Sequence, residues 1–107
     1  TGAAFALPTG VTLDGPIVGY PDDWSRVPEE HPCRRVRQPA DWGRAPVAQV
    51  VNLCLTLRNT TSQPVTVRLP PILVFVSQRV ETQNGVLVFP VAVVVPGGER
   101  RDVWLAM

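Results

Sequence analysis

Residues 50–76 read VVNLCLTLRNTTSQPVTVRLPPILVFV, and this stretch decides the fold. Apolar residues alternate with mostly polar ones on both sides of a polar segment at residues 59–64. Such period-two alternation is typical of strands with one buried face. The Asn, Thr, Ser and Pro residues between them favour a turn, because their side chains bond to or restrict the nearby backbone. The stretch therefore predicts an antiparallel hairpin whose apolar side faces a core.

Turn signals continue to divide the chain after this hairpin. Pro70 and Pro71 end the second strand, and Asn84 with Gly85 predicts a tight turn. Residues 96–98, PGG, predict a turn before the last strand. The predicted core side chains are Val51, Leu53, Leu55, Leu57, Val65, Val67, Val74, Phe75, Val93, Val103 and Leu105.

The length and the number of strand segments together predict the fold class. A chain of 107 residues is long enough for one domain with its own core. We predict an all-β fold, an immunoglobulin-like antiparallel β-sandwich of about seven to nine strands with a Pro-rich extended N-terminal arm. Residues 1–46 form this arm, packed on or exchanged between sandwiches, and residues 47–107 form the β-sandwich core.

The arm has a composition of its own. It contains seven of the twelve prolines and five of the eight glycines, which excludes long helices and continuous central strands. It also carries aromatic and branched apolar residues, which disordered tails lack. Short extended pieces of the arm can therefore add to a sheet edge, in the same chain or in a neighbouring subunit. The candidate subunit contacts are Phe5, Leu7, Val11, Leu13 and Ile17.

An eight-residue pattern, P-x-D-W-x-R-x-P, occurs twice in the arm, at residues 21–28 and 39–46. The Asp can begin a turn, and the Arg two residues after the Trp can lie over the indole. One interpretation is a pair of aromatic platforms for a glycan or protein ligand. The other is that the two indoles close the open end of the sandwich, or that the repeat is a chance match. The candidate platform residues are Trp24, Arg26, Trp42 and Arg44.

Cys33 and Cys54 are the only cysteines. Bonded, they would close a loop of about 20 residues and contribute roughly 3 kcal/mol; the alternative is two free thiols. A metal site is disfavoured, because the single His31 leaves too few ligands at any familiar spacing. A chain that begins with Thr1 rather than Met fits an exported protein whose leader was removed, so we expect a secreted or cell-surface location.

Several functions are disfavoured by composition. A net charge of +1 gives no basic excess for nucleic acid. No unbroken run approaches the roughly 20 apolar residues of a membrane span. The lone His31 has no identifiable nucleophile beside it, so we expect neither catalysis nor a cofactor.

From Asn52 onward, the order of motifs resembles a loosely defined group of small exported bacterial immunoglobulin-like β-sandwich modules. An N-x-T turn, an apolar V-F-x-S strand after a proline, a Q-N turn and a P-G-G turn follow one another here as they do in that group. They lie at residues 59–61, 71–77, 83–85 and 96–98. The resemblance implies an exported module with this fold, and it carries no catalytic residue across.

Three functional hypotheses follow. The first is a non-enzymatic extracellular structural subunit that self-assembles through its arm, by strand addition, into a cell-surface assembly or filament. It predicts that deletion of residues 1–20 leaves a folded monomer. The second is a carbohydrate- or protein-binding module that uses Trp24 and Trp42. The third is a domain that presents the loop at residues 78–85 to another protein.

Overall fold

The structure is a computed structural model that describes residues 5–21, 23–36, 51–71, 73–75, 85–87 and 90–106. These residues form eight strands and one 3₁₀ helix, Pro32–Arg35. The strands are β1 Val11–Leu13, β2 Val18–Gly19, β3 Asn52–Asn59, β4 Val65–Leu69, β5 Val74–Phe75, β6 Gly85–Val86, β7 Val91–Val95 and β8 Arg100–Ala106. The predicted all-β class is confirmed.

All strand pairs are antiparallel, and β3 is the centre of the largest sheet. β8 runs along one side of β3, while β1 and β2 follow one another along its other side. β4 pairs with β7 in a second sheet, and β5 pairs with β6 in a third. The arm strands β1 and β2 therefore lie on the side of the central strand opposite β8.

The predicted hairpin between β3 and β4 is wrong, because the two strands belong to different sheets. Asn59 is fully buried, and its Nδ2 donates to the carbonyl oxygens of Gln63 at 2.7 Å and Val95 at 3.0 Å. Its Oδ1 accepts from the backbone N–H of Thr61 at 2.9 Å and from the Thr61 hydroxyl at 2.7 Å. These bonds fix a corner that carries the chain from one sheet to the next. Alternation identifies a buried face, but it does not identify the partner strand.

Buried side chains from the two larger sheets form a single core together with Leu87. From the arm, Val11 belongs to this core, at 5% exposure. The predicted core residues that are buried are Leu55, Leu57, Val67, Val93, Val103 and Leu105. Those that pack against the core while partly buried are Val51, Leu53, Val65 and Phe75.

Val74 is the predicted core residue that the structure contradicts. Its side chain is 49% exposed. β5 has only two residues and pairs with β6 alone among the described strands. The apolar sequence around Val74 is therefore not sufficient to bury its side chain.

The arm pairs with β3 of its own chain. The N–H of Asp14 donates to the carbonyl of Thr56 at 2.8 Å, and Val18 lies opposite Cys54. Four steps along the arm, from 14 to 18, thus match two steps along β3, from 56 to 54. The two extra residues form a bulge that contains Gly15, at a φ of 93°.

The pairing divides the predicted subunit contacts into two groups. Val11 lies in the core of its own chain, and Leu7 packs against that core. Phe5, Leu13 and Ile17 are 41%, 43% and 38% exposed. Deletion of residues 1–20 would remove a core side chain and uncover one side of β3, so we no longer expect it to leave a folded monomer.

Candidate functional site

A disulfide between Cys33 and Cys54 joins the 3₁₀ helix to β3, as one sequence alternative predicted. The two Cα atoms are 5.4 Å apart, and both side chains are buried. Nδ1 of His31 accepts a hydrogen bond from the N–H of Cys33 at 3.2 Å and so caps the helix. A buried disulfide fits an oxidising compartment outside the cytoplasm.

Arg35 attaches the helix to β8. Its Nε and Nη2 donate to the two carboxylate oxygens of Asp102 at 2.9 and 3.0 Å, and its Nη1 donates to the carbonyl of Glu30 at 2.8 Å. The buried Thr56 hydroxyl donates to Asp102 at 2.7 Å. Burial raises the pKa of Asp102, but the hydrogen bonds from Arg35 and Thr56, together with the charge of Arg35, outweigh burial and lower that pKa overall.

Arg34 closes the loop that precedes the helix. Its guanidinium donates to the carbonyls of Val27 at 2.7 Å, Pro28 at 3.0 Å and Trp24 at 3.2 Å. The central carbon of this guanidinium, Cζ of Arg34, lies 5.0 Å from the centre of a Trp24 ring. The cation found over this indole is therefore Arg34, and not Arg26 as the sequence pattern predicted. The predicted arrangement depended on local spacing, whereas the observed one follows from helix docking.

The turn before Trp24 was predicted from Asp23. Oδ1 of Asp23 accepts a hydrogen bond from the N–H of Ser25 at 2.9 Å, and this bond lowers the pKa of the Asp23 carboxyl group. The Asp residue thus begins the turn, as its position in the pattern predicted.

Tyr20, Trp24 and Trp104 form an aromatic cluster on the outer face of the largest sheet. Tyr20 stacks on Trp104 with ring centres 4.9 Å apart and meets Trp24 edge-on at 5.2 Å. Nε1 of Trp104 donates to the side-chain oxygen of Asn52 at 3.0 Å. Tyr20 follows β2, so the cluster connects β2 to the loop that contains Trp24 and to β8.

The sequence pattern identified Trp24 but missed Tyr20, which meets its ring, and Trp104, which stacks on Tyr20. Trp104 lies opposite Cys54 in the β3–β8 register, so the disulfide and the cluster share one face. This arrangement depends on the pairing of β3 with β8, which the sequence analysis did not predict. Trp42 and Arg44 lie outside the described residues. The Trp24 ring contacts Tyr20, His31 and the guanidinium of Arg34.

Exposed apolar side chains are concentrated on the arm. Four of the six large apolar side chains that are most exposed in the described residues belong to residues 5–20. The six are Phe5, Leu13, Ile17, Tyr20, Val74 and Val94. An ion pair of 3.1 Å between Asp14 and Arg100 lies near the same part of the arm.

The described residues contain neither a metal-binding cluster nor a membrane-spanning helix. No three His, Cys, Asp or Glu side chains of this part of the chain are grouped as a metal ion would require. None of its helices has the length and apolar character of a membrane span.

Comparison of the chain with protein-family models, curated proteins and solved structures gives no match. The resemblance to exported bacterial modules therefore stays a prediction.

Proposed function

We propose that this chain is a non-enzymatic structural module with an immunoglobulin-like β-sandwich fold, exported from the cytoplasm, that associates with copies of itself through its N-terminal arm. The observation that carries the proposal is the exposure of Phe5, Leu13 and Ile17, at 38–43%, on an arm that is already paired with its own sheet. Apolar side chains clustered on one segment of a surface are typical of contacts between proteins.

The short strands of the arm favour a contact through its side chains over one through its backbone. β1 and β2 have three and two residues, and the bulge at Gly15 separates them. A second chain would find only a short, interrupted ladder along this edge. The association that we propose therefore depends on the exposed side chains of the arm more than on strand addition to it.

The test compares apolar side chains inside and outside the arm. We would combine Leu13→Thr with Ile17→Thr, because threonine retains a high strand propensity. The matched control is Val94→Thr, a β7 residue that is 49% exposed. Native mass is followed against concentration by sedimentation velocity.

The exposed parts of Leu13 and Ile17 correspond to roughly 1 kcal/mol of burial energy each. The association constant of the double variant should therefore fall by about tenfold or more. An unchanged constant, or an equal fall in the Val94→Thr control, would contradict the role of the arm.

Carbohydrate binding at the aromatic cluster is the alternative function. The observation that favours it is the 38% exposure of Tyr20 beside Trp24, because exposed aromatic rings are the surfaces on which sugars stack. Titration with soluble polysaccharides, followed by tryptophan fluorescence, would show saturable binding that Tyr20→Ala removes. The absence of any saturable change in the unmodified chain would eliminate this alternative for the sugars used.

A further inference from the structure

β8 has one side along which no described strand is paired. The N–H of Asn59 donates to the carbonyl of Glu99 at 2.9 Å. Farther along the ladder, Leu57 lies opposite Arg101, Leu55 opposite Val103 and Leu53 opposite Leu105. In an antiparallel ladder, every second residue bonds to the same neighbour, so the odd-numbered residues of β8 bond to β3. The backbone groups that point away from β3 are those of Arg100, Asp102, Trp104 and Ala106.

The two sides of the sheet differ in how they are protected. The arm side is interrupted by the bulge at Gly15 and by Pro16, and Pro8 and Pro21 lie before and after its strands. β8 pairs with β3 over seven consecutive residues and contains neither proline nor glycine. Natural proteins usually interrupt exposed edges, because a long regular edge pairs with other chains.

We infer that the outer edge of β8 pairs antiparallel with β8 of a second copy of this chain, about a two-fold axis near Val103. The charge pattern of the strand selects this partner and direction. Arg100 and Arg101 lie at its beginning, and its last three residues are uncharged. A parallel copy would place like charges opposite one another, which is destabilising.

The antiparallel arrangement separates these charges. Arg100 lies opposite Ala106 of the copy, and Asp102 lies opposite Trp104. The outward backbone groups of the two strands then form about eight hydrogen bonds. Val103 and Leu105 continue to face the core in each copy. The largest sheet of one copy therefore joins the largest sheet of the other to form one continuous sheet.

This inference rests on the proposed self-association and extends it. One contact of this symmetric kind gives only a closed dimer. β1 and β2 of the arm lie along the edge of the sheet opposite β8, so contacts at both edges produce an open polymer. The second contact is therefore what a filament requires.

Amide hydrogen exchange in the full chain, followed by NMR at increasing concentration, tests the pairing. At the lowest concentration, the amides of Arg101, Val103 and Leu105 should be protected, while those of the even-numbered residues of β8 exchange quickly. As the chain associates, exchange at the even-numbered residues should slow by roughly tenfold or more.

The outcomes distinguish the two proposals. Even-numbered amides that are protected in a monomer would overturn the inference, because the chain itself would cover the edge. Multimers in which these amides still exchange quickly would overturn β8 pairing while leaving association through the arm intact. A monomer at every concentration would overturn both.

A proline variant gives a second test. Arg100→Pro removes an N–H that points away from β3, so no bond of the β3–β8 ladder is lost. Arg100→Ala is the matched control, since both variants lose the ion pair with Asp14. Association should weaken by about tenfold or more in the proline variant relative to the alanine variant. Equal association of the two variants would overturn the inference.

Discussion

Asn59→Ala should destabilise the protein more than any exposed substitution, because Asn59 holds the corner between the two larger sheets. The side chain is fully buried and makes four hydrogen bonds, at 2.7, 3.0, 2.9 and 2.7 Å. Hydrogen bonds contribute about 0.5 to 1.5 kcal/mol each, and a buried carbonyl that loses its donor costs about 1 to 3 kcal/mol. The free energy of unfolding should therefore fall by about 2 to 5 kcal/mol.

Equilibrium unfolding in urea, followed by tryptophan fluorescence with the disulfide intact, measures this loss. Thr60→Val is the matched control, because Thr60 is the exposed neighbour whose hydroxyl makes one hydrogen bond, to the carbonyl of Gly10 at 2.9 Å. The control should lose less than about 1 kcal/mol. A loss below about 1 kcal/mol for Asn59→Ala would refute the reasoning, because water would then satisfy the backbone groups of the corner.

Three further predictions concern the docked loop. Replacement of Cys33 and Cys54 by Ser should lower the free energy of unfolding by about 3 kcal/mol in the same urea experiment. An unchanged value would show that the disulfide does not stabilise the fold. Because Asp102 has a lowered pKa in the folded state, its contribution to stability is present above the unfolded value of about 3.9 and is lost as the pH falls through the folded value. Melting curves between pH 2 and 6 should show this loss in the unmodified chain and a smaller one in Asp102→Asn; identical pH profiles would exclude the ion pair as the cause. Arg34→Ala should accelerate amide exchange in residues 24–31, whereas Arg26→Ala should not, and equal effects would mean that Arg34 does not hold the loop.

The sequence predicted the elements whose signal is local. Alternation identified the core-facing sides of β3, β4 and β8, because each inward residue of a strand is followed by one on the other face. It did not predict that Cys54 and Thr56, on the other face of β3, are buried as well. The Asx turn at Asp23 followed from a side chain that bonds to its own neighbourhood. Spacing alone allows both a disulfide and two free thiols, because it does not show whether two Cβ atoms meet.

Features that depend on strand pairing were missed. The corner at Asn59 reads as an ordinary turn in the sequence, and only the partner Val95 shows that it joins two sheets. The cation over Trp24 was assigned to Arg26 by spacing, whereas the docked helix places Arg34 there. Trp104 lies in the candidate site because it pairs with Cys54 in the β3–β8 ladder. No local sequence pattern encodes that pairing.

The native mass of the full chain, measured by light scattering over a wide concentration range, tests the central claim most directly. The proposal that copies of the chain associate depends on the exposed apolar side chains of the paired arm. The account predicts a mass that rises above the 11.7 kDa of one chain as concentration increases. A mass that stays at 11.7 kDa at every concentration would contradict it.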